Sequence, residues 1–219
     1  MIVILQNHYA EFWEGLKVTF WLSGIVWAFG LVVGVVLGLL AARWTILFGM
    51  PVRIFAVLLA AVPALVFMFW FHYPFQMSLN IVVDPFITAA SSLSVINVVL
   101  VANHTLQVVG NFPRQYITAG RLCGLSDARI VWSIGMPIAL RQLLPGMLQI
   151  QIVMLQSTLF ASLISVDEIF RVAQRINSQI YKPVEIYSLL AVFFILICVP
   201  LNLLASFLKS RFSRDLSRS

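Results

Sequence analysis

The stretch from Val18 to Ala42 reads VTFWLSGIVWAFGLVVGVVLGLLAA and contains no aspartate, glutamate, lysine or arginine. Roughly 20 apolar residues in a row are enough for an α-helix to cross the hydrocarbon layer of a membrane. Four later stretches of comparable length are also free of charge: Ile54–Val83, Pro85–Pro113, Gln142–Val166 and Ile186–Leu208. This pattern predicts a polytopic membrane protein with about five transmembrane helices.

The composition points the same way, because 61% of the 219 residues are hydrophobic and only 10% are charged. Soluble domains carry about 25% charged residues. The apolar runs are long and uniform, whereas a membrane β-barrel shows alternating segments of about ten residues. We therefore predict an all-α fold in which residues 1–219 form one transmembrane domain. The predicted helices are Leu16–Ala42, Ile54–Phe71, Phe86–Asn103, Leu143–Ile164 and Ile186–Leu208.

The distribution of basic residues predicts the orientation, since lysine and arginine accumulate on the cytoplasmic side of membrane proteins. With the N-terminus outside, ten basic residues lie inside: Arg43, Arg53, Arg114, Arg121, Arg129, Arg141, Lys209, Arg211, Arg214 and Arg218. Only four lie outside: Lys17, Arg171, Arg175 and Lys182. The net charge of +6 thus indicates a membrane surface and no nucleic acid. The basic tail from Lys209 either contacts the anionic inner leaflet or is a solvated stop-transfer segment.

The ends and the cysteines carry little further signal. The N-terminal region is acidic, with Glu11 and Glu14, and its apolar run is too long for a signal peptide. Cys123 and Cys198 lie in different environments, so we expect neither a disulfide nor a metal site.

Two features of the first helices concern packing. Gly30, Gly34 and Gly38 share one helical face, where a neighbouring backbone can approach closely, either within the subunit or across a subunit interface. Pro63 removes a backbone hydrogen bond and should kink the second helix, towards protein, a cavity or lipid.

The longest cytoplasmic segment, residues 104–142, has the pattern of two short helices joined at a glycine. Gly124 suits the left-handed residue after a helix, Ser126 can cap the next helix, and Asp127 suits its positive end. Pro137 and Pro145 then predict breaks before the fourth membrane helix. Such a protrusion is either a docking element for another protein or a plain connection.

The segment from Pro113 to Pro145 resembles the cytoplasmic signature loop of ABC importer permeases, the EAA loop. That loop has Glu-Ala-Ala, a glycine four residues later and an Ile-x-Leu-Pro sequence further on. The corresponding residues here are Thr118, Ala119, Gly120, Gly124, Ile134 and Pro137, and the resemblance places Leu125 and Ser126 in the same loop. Further residues similar to the polar amino acid permeases, of histidine and glutamine type, are Leu155–Leu159, Val166–Ile169 and Tyr181–Pro183.

This sequence departs from the family pattern at several charged positions. Thr118 stands where the loop glutamate is usual, and Ala60–Pro63 replaces an Arg-Gly-Thr-Pro sequence. Asn103 and Leu106 stand where an acidic and a basic residue are typical. The protrusion formed by the two short helices, called the knob below, therefore either docks through shape and apolar contact or works beside a less divergent permease in a heterodimer.

The resemblance implies a permease subunit of an ATP-binding-cassette importer in a bacterial inner membrane, with a polar amino acid as the substrate. It implies a second permease subunit, a dimer of ATPases that dock on the loop, and a periplasmic substrate-binding protein. The chain has no Gly-x-x-x-x-Gly-Lys-Ser/Thr phosphate loop, so ATP would be bound by the partner ATPases. We expect no enzymatic activity, cofactor or metal in this chain.

Polar residues inside the membrane helices are candidates for the substrate pathway, because they are costly in lipid and tend to face the bundle interior. They are Asn97, Asn103, Gln149, Gln151, Gln156, Ser157 and Thr158. The pathway assignment is placed on Asn97 and on Gln156, Ser157 and Thr158. The alternative for each is a structural hydrogen bond between helices. Four charged residues that follow outside either touch a binding protein or form a solvated face: Asp167, Glu168, Arg171 and Arg175.

Two other functions remain as alternatives. An ion-driven secondary transporter usually needs a titratable group within the membrane, but none of the five runs contains an acid, and His72 and His104 lie near helix ends. An intramembrane enzyme needs a Ser/His, paired-acid or metal-binding constellation, and no such set converges in these helices.

Overall fold

The computed structural model describes residues 2–217, with side chains described for residues 4–113 and 115–212. Arg218 therefore lies outside the described residues, and the side chains of Arg114 and Arg214 are likewise not described. The α-helices are α1 Ile2–Asn7, α2 Tyr9–Arg43, α3 Met50–Ala61, α4 Ala64–His72, α5 Pro74–Ser78, α6 Pro85–Gly110, α7 Arg114–Leu122, α8 Asp127–Ile130, α9 Met136–Ser157, α10 Ile169–Ile180 and α11 Pro183–Ser217. Thr45–Gly49 and Val131–Gly135 are π-helical, and Thr158–Ile164 is a 3₁₀ helix.

Four continuous helices are long and apolar enough to cross a membrane: Tyr9–Arg43, Pro85–Gly110, Asp127–Ile164 and Pro183–Phe212. A fifth span is formed if the bent pair Thr45–Ala61 and Ala64–Ser78 is counted as one. The prediction of an all-α polytopic fold with about five spans is confirmed.

The predicted second helix, Ile54–Phe71, is broken where only a kink was expected. Its two halves meet at 98°. Val62 is extended, with φ −99° and ψ 122°, and Pro63 follows with φ −56° and ψ 134°. A proline ring disfavours helical geometry at the residue before it and removes one N–H donor, so the chain leaves the helix at Ala61 and restarts at Ala64.

The predicted breaks at Pro137 and Pro145 were wrong. Helical structure runs without interruption from Asp127 to Ile164, so the fourth span begins well before the predicted Leu143. Met136 N–H bonds to the carbonyl of Val131, which widens one turn just before Pro137. Pro137 then lies in the first turn of α9, where a missing N–H costs little, and Pro145 lies inside α9. Membrane helices tolerate such prolines because neighbouring groups satisfy the freed carbonyl.

The glycine face of α2 packs against α6. A side-chain carbon on Gly34 would come within 2.7 Å of Val101, and one on Gly38 within 2.5 Å of Thr105. A side chain at Gly30 would overlap Asn97. The glycines thus serve close packing within one subunit, the first of the two predicted alternatives.

A short helix, α10, lies between the fourth and last spans, where the sequence analysis named only four charged residues. Its apolar face buries Ile169, Val172, Ala173 and Ile176 against residues of α2 and α11 such as Phe12 and Ile186. Ile169 N–H also donates to Thr19 Oγ1 of α2 at 3.1 Å. Helix α10 is therefore anchored across the ends of the first and last spans.

Candidate functional site

The knob consists of helices α7 and α8 and the turn between them. Helix α7 ends in a Schellman motif at Gly124. Leu125 N–H donates to the Gly120 carbonyl at 3.1 Å, and Gly124 N–H donates to the Arg121 carbonyl at 3.0 Å. Gly124 has φ +75°, the left-handed conformation that costs other residues about 1–2 kcal/mol. The predicted glycine-centred turn is confirmed.

Helix α8 begins as predicted, with Ser126 as its N-cap. The Ser126 hydroxyl accepts from Arg129 N–H at 3.4 Å. Asp127 lies in the first turn, where a negative charge is favourable, and accepts from Arg121 Nε of α7 at 3.0 Å. This ion pair is exposed and adds little stability, but it links the two helices across the turn.

The two helices pack at Gly120 and Ile130. A side-chain carbon on Gly120 would come within 2.8 Å of Ile130, so only glycine allows this approach. Ile130 is buried. The knob is therefore a defined unit with its own small apolar contact.

The outer surface of the knob mixes polar residues with exposed apolar ones. Leu122 in α7 is 84% exposed, and Trp132, in the π-helical turn that follows α8, is 67% exposed. Arg121 and Arg129 are exposed beside them.

The loop residues predicted from the family pattern do not all lie in a loop. Five of these residues are exposed: Thr118, Ala119, Gly124, Ser126 and Pro137. Leu125 and Ile134 are half-buried, and Gly120 is buried. Ile134 and Pro137 belong to the long helix that enters the membrane. The segment outside the helical spans is shorter than the predicted residues 104–142, since α6 continues to Gly110.

Asn97 lies at the crossing of α2, α6 and α9 and is fully buried within the subunit. Its Nδ2 donates to the Val26 carbonyl at 2.8 Å and to Gln151 Oε1 at 2.9 Å. Gln151 Nε2 donates back to Asn97 Oδ1 at 3.2 Å. These contacts fit the structural alternative for Asn97, a hydrogen bond between helices.

The three consecutive candidates in the fourth span have different environments. Ser157 and Thr158 are buried, and their hydroxyls donate to carbonyls of their own helix, those of Val153 at 2.8 Å and Leu155 at 2.7 Å. Gln156 is exposed, and its side chain lies near the thiol of Cys198 in α11. Of the three, Gln156 is the residue with a polar group at the subunit surface.

A stripe of amides runs along α9. Gln142, Gln149 and Gln156 are spaced by seven residues and therefore share a helical face. Gln149 and Gln156 are exposed and Gln142 is half-buried. The sequence analysis named Gln149 and Gln156 as candidates but missed Gln142, although the spacing of seven residues could have identified it.

A cavity of about 340 Å³ opens at the knob end of this stripe. Its lining residues include Gln142, Gln149, Arg141, Lys209 and His104. The cavity thus continues the amide stripe towards the knob.

The family positions that lack their usual charge hold uncharged residues here. Leu106 is buried, Asn103 is half-buried, and Ala60 to Pro63 lie exposed at the break between α3 and α4. A charged pathway site cannot be built from these residues.

Glu168 has an unusual environment for a charged side chain outside the membrane spans, since it is 0% exposed. Its two oxygens accept from the N–H groups of Phe170 at 2.9 Å and Arg171 at 2.8 Å, which caps α10. Burial raises the pKa of Glu168 to about 7, while these two bonds and the charge of Arg171 oppose the rise. The expectation of a solvated face is therefore wrong for Glu168, although Asp167 and Arg175 are exposed and paired at 3.4 Å.

Among the described residues, no group of three or more histidine, cysteine, aspartate or glutamate side chains is placed to hold a metal ion. The fold and the knob together define a class: a polytopic helical membrane protein with a structured helical knob between two of its spans. The chain belongs to the family of binding-protein-dependent transport system inner membrane components, whose sequence profile matches residues 34–218.

Relatives and a solved structure resemble the chain over most of its length. The glutamine transport system permease protein GlnP of Escherichia coli is 27% identical over 199 residues, covering 90% of this chain and 91% of GlnP. The histidine/lysine/arginine/ornithine permease protein HisM of Salmonella typhimurium is 27% identical over 216 residues, covering 90% of this chain and 91% of HisM. The crystal structure of an amino acid ABC transporter with histidines matches with a TM-score of 0.84 at 20% identity, covering 96% of this chain and 98% of that one. That structural likeness shows the shared fold.

Proposed function

We propose that this chain is the transmembrane permease subunit of an ATP-driven importer for a polar amino acid, in a bacterial inner membrane. The observation that carries the proposal is the knob of α7 and α8, with Gly124 in the left-handed position and the apolar side chain of Leu122 exposed. A partner ATPase dimer binds the two knobs of a permease dimer from the cytoplasm. The ATPase subunits bind the ATP, and this chain needs no cofactor of its own.

The knob is continuous with the helix that carries the amide stripe. Residues 127–164 are helical throughout, a span of 38 residues that is about 57 Å long. A displacement of the knob by the ATPases is therefore passed along one helix, from Ser126 at the inner face to the 3₁₀ segment that precedes α10. This continuity explains how ATPase closure would change the outer end of the subunit.

The amide stripe supports a dimer with the pathway between its subunits. Gln149 and Gln156 lie on a membrane helix and are exposed in the single subunit, and polar side chains rarely face lipid. A second permease subunit that covers this face would enclose a polar path. Gln156 is the proposed pathway residue, while Ser157 and Thr158 support its backbone and Asn97 holds the helices together.

The proposed substrate class rests on neutral hydrogen-bonding groups and on the relatives. The amides of the stripe each donate and accept hydrogen bonds, which suits a polar solute. GlnP and HisM are permease proteins for glutamine and for histidine, lysine, arginine and ornithine. A periplasmic binding protein delivers the amino acid to the outer face, where the N-terminus lies.

The test is purification of the tagged chain with its candidate ATPase and reconstitution with the binding protein. An importer subunit should retain a stoichiometric ATPase, and amino acid bound to the binding protein should stimulate ATP hydrolysis. Uptake driven by an ion gradient without any ATPase would favour a secondary transporter and overturn the proposal.

A further inference from the structure

A cavity of about 430 Å³ lies between the knob and the membrane helices. It is lined by residues of six helical elements, among them Val35 and Leu39 of α2, Val109 of α6, Ile117 of α7 and Ala139 of α9. All the lining residues are apolar. A volume of several hundred Å³ is in the range of binding pockets, and an apolar cavity of this kind does not hold ordered water.

The cavity opens beside an exposed apolar surface of α2. Leu39 of α2 and Leu140 of α9 are both lining residues and about half exposed. The exposed face of α2 beside the opening is apolar, with Val32 and Val36. In a membrane, an apolar surface of this kind contacts the acyl chains of the lipids. This surrounding favours a lipid acyl chain as the occupant of the cavity.

A basic residue continues the same face of α2 at headgroup depth. Val35, Leu39 and Arg43 are spaced by four residues, so Arg43 lies about 6 Å beyond Leu39 along the helix. The Arg43 side chain is exposed and its guanidinium lies 5.6 Å from the ring of Trp44. Tryptophan and arginine at the end of an apolar run are typical of the membrane interface.

We propose that this cavity binds one acyl chain of an inner-leaflet phospholipid, whose phosphate lies beside Arg43. The lipid would fill the space between α7 and the N-terminal end of α9, so that the knob contacts lipid as well as protein. An anionic phospholipid is favoured, because each basic residue near the surface attracts anionic lipid. The orientation follows the proposed function, with the knob at the inner face.

The experiment uses the full chain in nanodiscs that contain phosphatidylglycerol with a photoreactive acyl chain, followed by peptide mapping. We expect labelled peptides that contain residues 35–39 and 109–143, the segments that line the cavity. Ala139→Trp should fill the cavity and remove most of this labelling, and the smaller change Ala139→Leu should reduce it if the tryptophan variant folds poorly. Ala191→Trp, on the exposed face of α11, is the matched control and should label as the wild type does.

A second part of the experiment compares lipid headgroups and tests the contact between the lipid phosphate and Arg43. With equal amounts of phosphatidylglycerol and phosphatidylcholine probes, Arg43→Gln should lower the preference for phosphatidylglycerol about fivefold. Unchanged labelling in both Ala139 variants, or labels confined to other segments, would overturn the lipid site. An unchanged lipid preference in Arg43→Gln would overturn the phosphate contact. Labelling does not require transport, so its failure is distinguishable from failure of the importer proposal.

Discussion

The amide of Asn97 occupies the place that a side chain at Gly30 would take, at the crossing of α2 and α6. From there it reaches the Val26 carbonyl of α2 and the Gln151 side chain of α9, so one residue joins three membrane helices. The absence of a side chain at position 30 is what allows this junction.

Gly30→Ala should destabilise the protein by about 1–3 kcal/mol, since the added carbon overlaps the Asn97 side chain and forces it to move. Gly24→Ala in the same helix is the matched control, because nothing lies within 4 Å of its added carbon. Thermal unfolding in detergent measures both. Equal unfolding temperatures for the two variants would contradict the packing assigned to Gly30.

Gly124→Val should weaken ATPase binding by forcing a β-branched residue into a left-handed conformation, at a local cost of about 1–2 kcal/mol or more. The readouts are the amount of copurified ATPase and amino acid uptake. Gly110→Ala at the end of α6 is the control, since Gly110 also has open space around it but no positive φ. Normal ATPase binding and uptake in a well-expressed Gly124→Val protein would rule out docking through this turn.

Gln156→Leu should lower uptake about fivefold, the effect expected when one neutral hydrogen bond of about 1 kcal/mol is lost. Ser157→Ala and Thr158→Val should alter stability more than uptake, because both hydroxyls bond their own helix. The measurement is uptake together with stimulated ATP hydrolysis in nanodiscs. If Gln156→Leu transports normally, the amide stripe is a packing feature and not a pathway.

Cys123 reports the orientation without any added residue, because it is exposed on the knob while Cys198 is buried. A membrane-impermeant maleimide should label inside-out vesicles and leave spheroplasts unlabelled. Cys123→Ser should abolish the vesicle signal. Labelling in spheroplasts that disappears in Cys123→Ser would place the knob outside and reverse the proposed topology.

Glu168 should make stability depend on pH. Its pKa in the folded protein is about 7 and its ordinary value is 4.5, so folding takes up a proton between these values. The stabilising contribution is complete below about pH 4.5 and is lost as pH rises through about 7, a total of about 3 kcal/mol. Glu168→Gln resembles the protonated acid and should remove this dependence.

The check is the difference in unfolding free energy between wild type and Glu168→Gln from pH 5 to pH 8. The wild type should lose stability relative to the variant as pH rises. A constant difference would show that Glu168 does not titrate in this range.

Local signals determined the parts of the fold that consecutive residues encode. Charge-free runs predicted the spans because the cost of charge in lipid acts on each residue where it stands. Gly124 and Ser126 predicted the knob because a left-handed turn and a helix cap depend on a few neighbours. Pro63 predicted a kink for the same reason, although the full break of the helix, with a bend of 98°, came only from the structure.

Only the tertiary structure decided what each polar residue contacts. Asn97 and Gln151 pair across 54 positions, and Thr19 accepts from Ile169 across 150, so no window of sequence contains either bond. Burial of Glu168 arises in the same way, from helices that are distant in sequence. The continuity of the helix through Pro137 and Pro145 also escaped local rules, because a wider turn and the surrounding bundle offset what a proline costs by itself. Hydropathy acts residue by residue and can be summed along the chain, whereas a hydrogen bond between helices exists only once their crossing is fixed.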